Sequence, residues 1–513
     1  SPCPARWSSA ATPPNTAGGV YINRYADEDA FTMTGGSITD NTADEFGGGV
    51  YNYDGTFNLN GGSITANRAK EGGGVFLLSS DGSFKMTGGS IAENTATVDG
   101  GGVYNNNAAF TMEGGSIADN TVVRDSSVAD SSHGGGVYNN SNTFKMTGGS
   151  ITGNTVDGGA NDTSYGGGVY NRSEGTFEMS GTATVSGNTA NYGGGVVNFG
   201  TFKLSDTAII ADNIGTLVRI ADRGGGGVFN AATFTMTGGE IKNNKTSGYG
   251  GGVCNVSTTF TMEGGSITGN STTAGTSGGG VFNYYSTFTM SGASAINNNT
   301  ASSGGGVKNV QGTFNMNGGE IKNNKATGGS GGGVYNVRAF DRVDSVFNMT
   351  AGTISGNSAY GSGGGVYSNS TANSPAAFNM SGGEIIDNTA SSDYNGGGVW
   401  NGMSTFTVSG NVKISGNVKD GTITDGVLEG GTANNVYLYR TAYPITIESG
   451  KPLSAGASIG ITGSLNRLVV SGTTDTTGFF CDNYAYKLVK TDDNNGLKIG
   501  RDADLSRSEE HTS

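Results

Sequence analysis

Apolar positions recur along this chain in one fixed order. A valine follows a run of glycines, then comes a phenylalanine with an apolar residue two places on, then an isoleucine followed three places later by asparagine. In residues 47–69, GGGVYNYDGTFNLNGGSITANRA, these fall at Val50, at Phe57 with Leu59, and at Ile64 with Asn67. The valine returns at 14 positions from Val20 to Val399, on average about 29 residues apart and never closer than 25. A period of that size marks units that cannot bury an apolar face alone and must stack on their neighbours.

Within a unit the spacing predicts strands. Phe110 and Met112 lie two apart and so share one strand face, while Thr111 between them points the other way. The equivalent in-between residues Thr32, Lys85, Glu178 and Asn315 are all polar and are expected to face water. The Ile-x-x-Asn segment predicts a third strand and a turn. Its asparagines, Asn41, Asn67 and Asn94 through Asn417, are expected to take left-handed backbone angles and to bond amide to amide between coils. A Gly-Gly pair such as Gly35 and Gly36 supplies the preceding corner, with positive φ available. The units at Phe177, Phe202, Phe288 and Phe406 lack the pair and are one residue longer, which implies a wider turn at the same corner. None of the seven prolines falls between residues 15 and 374, where each would delete a ladder hydrogen bond.

These features predict an all-β chain: a single-stranded right-handed parallel β-helix, or solenoid, with three short strands per coil and about 14 to 18 coils. At about 4.8 Å per coil the array would reach on the order of 70 to 90 Å. The pattern resembles the right-handed parallel β-helix of bacterial surface adhesins, phage spikes and pectate-lyase-like enzymes. More narrowly, the Asn-Thr-Ala turn leading into a glycine run and valine, as between Asn188 and Asn198, resembles the repeats of the polymorphic outer-membrane protein family. That family carries FxxN and GGA[ILV] where this chain has IxxN and GGGV. The resemblance spans about four-fifths of the chain and implies an adhesin-like surface stalk.

Composition narrows the partners. Glycine, at 95 of 513 residues, is locked to corners rather than scattered, so it reads as solenoid rather than disorder. The formal charge of -14 argues against nucleic acid, which needs a basic stripe. Cys3, Cys254 and Cys481 lie far apart with no CxxC, so neither a disulfide framework nor a zinc site is indicated, and Cys254 reads as a substitution in an aromatic slot. There is no run of 18 apolar residues to span a membrane.

Residues 1–14 are left unassigned, 15–419 are read as the β-helix repeats, 420–500 as degenerate terminal coils and a cap, and 501–513 as a disordered tail. The opening residues lack an initiator Met and a signal-peptide shape, so the chain is expected to begin inside an array. Residues 507–513, RSEEHTS, look like translated sequencing adapter and are set aside. Insertions fall at two corners, after the Asn-Thr-Ala turn and between the valine strand and Phe, and loops on solenoid edges are where binding variation sits.

Two groups of candidate ligand-binding residues follow. Arg124, Asp125, Asp130 and His133 share one loop, and Asp157 and Asp162 occupy the equivalent loop one coil on, where stacking would bring the two sets together. A polysaccharide-degrading enzyme would need clustered carboxylates of this kind, and such an enzyme is the alternative reading, with solvated polar loops the plainer one. The second group is the aromatic after each valine, with Tyr104, Tyr138 and Tyr170 as representatives. With valine inward, these rings are expected to project outward in a stack that could hold sugar rings or a protein, or else lie under the loops and shield the edge. Lys308 in the same slot favours the outward orientation. The preferred reading is a non-enzymatic, secreted or cell-surface bacterial stalk that binds a glycan or a host or neighbouring-cell surface protein. No catalytic residue, metal or cofactor is assigned.

Overall fold

The computed structural model describes residues 17–23, 30–124, 131–157, 163–216, 224–273, 275–339, 343–371, 373–391, 393–424 and 426–501. The chain forms two compact units, Ser1–Val218 and Arg219–Ser513. Among the described residues all regular structure is strand, and no helix is long and apolar enough to cross a membrane.

One coil of the first unit shows how the repeat folds. Its strands are Val103–Asn105, Ala109–Met112 and Ser116–Ala118, followed by a short edge strand, Thr121–Val123. Each of the first three pairs in parallel with its equivalent one coil on, placing Val103 beside Val137, Phe110 beside Phe144 and Ile117 beside Ile151. The edge strand, read from sequence as part of a turn, forms its own parallel ladder, with Thr121 beside Thr155 and Val122 beside Val156. The architecture is a parallel β-solenoid in both units. Seven valine anchors from Val20 to Val196 lie in the first unit, and eight from Val228 to Val436 in the second.

Because equivalent residues stack, the core is a set of columns. Val103, Phe110, Met112 and Ile117 are fully buried, as are their counterparts Val334, Phe347, Met349 and Ile354 in the second unit. Phe57 and Phe84 stack at 4.7 Å and 9°, and Phe347 and Phe378 at 4.9 Å and 2°. The ring spacing is the coil spacing, so register alone sets the stack. Each buried ring contributes about 1.5–3 kcal/mol relative to an exposed one.

The glycine run makes the sharpest corner. Gly100 has φ of 66°, closed to most side chains. A Cβ on Gly101 or Gly102 would sit 2.5 and 2.7 Å from the carbonyl oxygens of Gly135 and Gly136 in the next coil, so these two are needed for close approach. In the longer units the wider turn carries one left-handed residue, Gly181, Asp206, Gly292 or Gly410, with φ from 56° to 65°.

The asparagine turn differs from expectation in one respect. The left-handed residue is the one before the asparagine, as at Asp40, Ala66, Glu93 and Asp119, and the asparagine itself is not left-handed. Its task is the ladder alone. Asn94 donates from both its backbone N–H and its Nδ2 to Asn120 Oδ1, at 3.0 and 2.9 Å, while Asn120 Nδ2 donates back to Ile91 O at 2.9 Å. In the second unit the ladder runs through Asn388, Asn417 and Asn435 and ends on Asp482. There the backbone N–H of Asn435 donates to Asp482 Oδ2 at 2.7 Å and its Nδ2 to Oδ1 at 2.6 Å. An ionised carboxylate only accepts, so it satisfies the last two donors and needs no acceptor beyond itself.

A second buried ladder uses the asparagine two residues after each valine. Asn105 Nδ2 donates to Asn139 Oδ1 at 2.8 Å, and Asn139 Nδ2 to Asn171 Oδ1 at 2.9 Å. Asn105 also closes its own loop, accepting from Ala108 N at 2.9 Å and donating to Ala108 O at 3.0 Å.

Parallel stacking continues past Lys419 through Val436–Leu438, Ile445–Ile447, Ser458–Thr462 and Phe479–Cys481. It then reverses: Gly496–Arg501 lies antiparallel to Tyr486–Lys490 and to Leu468–Ser471. The insertion after Lys419 folds as an antiparallel hairpin, Thr422–Thr424 with Val427–Glu429.

Candidate functional site

In the first unit, the residue before each glycine run forms a column along the edge. Phe46 bridges to Glu71, Glu71 lies beside Asp99, Asp99 beside His133, His133 beside Tyr165, and Tyr165 bridges to Tyr192. Parallel register therefore puts two carboxylates and an imidazole on three successive coils. His133 Nδ1 lies 2.7 Å from Asp99 Oδ1, and the His133 backbone N–H donates to the same oxygen at 3.0 Å. A carboxylate only accepts, so Nδ1 carries the proton in this bond. Asp99 is only 8% exposed.

Rings enclose this cluster. His133 stacks on Tyr165 with centroids 5.5 Å apart and lies against Tyr170 at 4.5 Å and Tyr138 at 5.9 Å. Burial first, and then the Asp99 carboxylate, push the Glu71 carboxyl up to about 7, with Glu45 adding to the rise and Lys70 opposing it. Burial also raises the Tyr104 and Tyr138 phenols above their ordinary range and pushes Tyr170 up to about 12. Neither Glu71 nor Asp99 stands out in the sequence until the repeats are aligned on their glycines, where the position before the run becomes a column of its own.

The aromatics after the valines do stack, with Tyr104 and Tyr138 at 4.6 Å and Tyr138 and Tyr170 at 5.1 Å. They do not present an open outer face. Tyr104 is 8% exposed and Tyr138 5%, and they form a buried cluster with Tyr51 and Phe76, with Tyr170 partly buried against it. The physical reason is the edge segment, which folds over the rings: Phe46 lies 4.6 Å from Phe76, and His133 covers Tyr138 and Tyr170. Lys308, taken as a sign of outward orientation, instead sits within the covered column, 5.6 Å from the Tyr249 ring and 5.1 Å from the Tyr335 ring, with its Nζ donating to Ser277 Oγ at 3.0 Å. Burial lowers its ammonium to about 8. Cys254 lies fully buried in the aromatic slot between Phe229 and Phe282, as its position in the repeat implies.

Of the loop residues singled out from sequence, Asp125, Asp130 and Asp162 lie outside the described residues. The strands leading into the two loops do stack, and an exposed Asp157 falls beside Val123. Arg124 is partly exposed at the end of the first of them. His133 is directed to Asp99 of the preceding coil. Among the described residues no group of three or more His, Cys, Asp or Glu side chains is arranged to hold a metal ion.

The exposed aromatics lie elsewhere. In the second unit Tyr360 is 59% exposed and Tyr394 41%, with ring centroids 6.1 Å apart, both just beyond the edge ladder. Fold and site together define the class: a parallel β-solenoid repeat protein with buried aromatic stacks and asparagine ladders. Comparison with protein-family models, with curated proteins and with solved structures gives no match.

Proposed function

We propose that this chain is a non-enzymatic, secreted or surface-displayed binding scaffold, adhesin-like in role, whose loops on the solenoid edge engage glycans or proteins of a neighbouring cell. The observation that carries this reading is the division between interior and edge. Interior columns repeat coil after coil with valine, phenylalanine, methionine, isoleucine and asparagine fully buried, whereas the edge varies from coil to coil in length, charge and aromatic content. A uniform interior makes a scaffold stiff, and a variable edge is where recognition can differ without disturbing the stack.

The test is adhesion of beads coated with the protein to cells and to immobilised glycans and surface proteins, alongside a reducing-sugar and unsaturated-product assay on a polysaccharide panel. The expected outcome is bead adhesion with no product release. Product release that is lost in His133→Ala would replace this reading with a polysaccharide-degrading enzyme, and absence of adhesion to every surface would remove it.

A further inference from the structure

The strongest unassigned feature is a groove of about 500 Å³ on the edge of the second unit, within the range that small ligands occupy. Its floor is the edge ladder, where Lys325–Ala326, Ser358–Ala359 and Thr389–Ala390 stack in parallel. The alanines turn inward and are buried, leaving Lys325 and Ser358 on the outer face. One residue further on stand Tyr360 and Ser391, and the opposite wall is the chain from Asp420 to Ile423.

That wall is held in place. Gly421 N–H donates to Thr389 Oγ1 at 3.1 Å, and Thr389 Oγ1 donates to Gly421 O at 3.2 Å. The hairpin then runs back along the edge, so that a Cβ on Gly426 would lie 3.3 Å from Asn323 Nδ2, in the coil that carries Lys325. The groove therefore runs across three successive coils, a floor of roughly 10 Å from the first ladder residue to the third.

We propose that this groove binds a short neutral oligosaccharide, with the exposed Tyr360 ring as the stacking face and Lys325, Ser358, Ser391 and Asp420 as hydrogen-bonding groups. Three observations select the occupant. The backbone of the floor is already bonded to its neighbours above and below, as in Tyr360 N–H to Ala326 O at 2.9 Å and Ser391 N–H to Ala359 O at 3.1 Å, so an extended peptide finds no free strand edge along the floor. The lining combines a solvent-facing aromatic ring with hydroxyls, which suits a ligand whose rings have an apolar face and a hydroxylated rim. One cation and one anion balance within the groove, and the chain carries -14 overall, so an acidic sugar would be repelled.

This inference rests on the binding-scaffold reading and narrows it to one site and one ligand class. The experiment is calorimetry and array binding of the full chain with neutral hexasaccharides of glucose, mannose and galactose and with oligouronides and sialylated oligosaccharides. The expected result is binding to at least one neutral series, weakened about 10-fold or more in Tyr360→Ala and retained in Tyr360→Phe, with unchanged circular dichroism. Neutral-sugar binding that survives Tyr360→Ala, or binding only to acidic sugars, overturns the groove assignment while leaving the scaffold reading intact. Binding to proteins with none to sugars does the same. If the beads also fail on every surface, both readings fall.

Discussion

Asn388→Ala is a sharp perturbation of the fold because the loss can be worked bond by bond. Asn388 is fully buried in the second unit. Its Oδ1 accepts from both the backbone N–H and the Nδ2 of Asn357, each at 2.9 Å, and its Nδ2 donates to Ile354 O at 2.9 Å, Ile386 O at 2.8 Å and Asn417 Oδ1 at 2.8 Å. Alanine leaves the Asn357 backbone N–H and one of its two Nδ2 hydrogens buried with no acceptor, while the other Nδ2 hydrogen keeps Ile321 O at 2.9 Å. At about 1–3 kcal/mol for each unsatisfied group, the expected loss is about 3–5 kcal/mol. Asn388→Asp keeps an acceptor for Asn357 but turns a carboxylate toward Ile354 O and Asn417 Oδ1, so it too destabilises, although aspartate is the native residue at the ladder's end, Asp482. The assay is chemical unfolding with hydrogen exchange read at residues 354–420. Protection is expected to fall first at Asn357 and in the coils touching it, since solenoid contacts are between neighbours. A loss under about 0.5 kcal/mol, or an aspartate variant as stable as the parent, would refute the claim that the ladder is a chain of mutually dependent hydrogen bonds.

Further outcomes are expected from the same geometry. Tyr104→Ala with Tyr138→Ala removes two covered rings and lowers the stability of the first unit by several kcal/mol, on the scale of about 3–5 kcal/mol for an aromatic truncated in a core, whereas Tyr360→Ala stays within about 0.5 kcal/mol by thermal unfolding. Glu71 is raised from 4.5 to about 7, so between those values the folded chain keeps a proton that the unfolded chain has released. Its contribution is therefore complete below about 4.5 and lost as pH rises to about 7, and Glu71→Gln should flatten the melting temperature of the first unit between pH 5 and 8. An unchanged slope in that variant would show that burial and the neighbouring Asp99 and Glu45 carboxylates do not hold a proton on Glu71 against Lys70. Gly102→Ala places a Cβ 2.7 Å from Gly136 O, and the expected loss of cooperative unfolding is checked by calorimetry.

How much could be read in advance follows from the kind of fold. In a solenoid, equivalent positions of successive repeats touch, so aligning the repeats is already a contact map. Valine, phenylalanine, methionine, isoleucine and the Ile-x-x-Asn asparagine each form the buried column that their recurrence implies, and the corner glycines Gly36 and Gly62 have the positive φ their pairing suggested. Periodicity says which residues stack. It does not say what lies over a stack.

That second question depends on contacts between different columns, and tertiary structure alone answered it. Tyr104 and Tyr138 leave the valine side of their strand, but an edge segment from another part of each coil closes over them, so they are core rather than surface. Parallel register joins Glu71, Asp99 and His133 in a column visible once the repeats are aligned on their glycines, but only the closure sets it against the rings of Tyr138 and Tyr170. The Asp482 carboxylate ends a ladder that begins in coils far upstream, and the hairpin after Asp420 folds back over three coils to make the groove beside Tyr360. Repetition along the axis is written in the chain because each coil copies its neighbour. Contacts between different columns around the coil, and those at its end, are not given by the period, so only the folded packing reveals them.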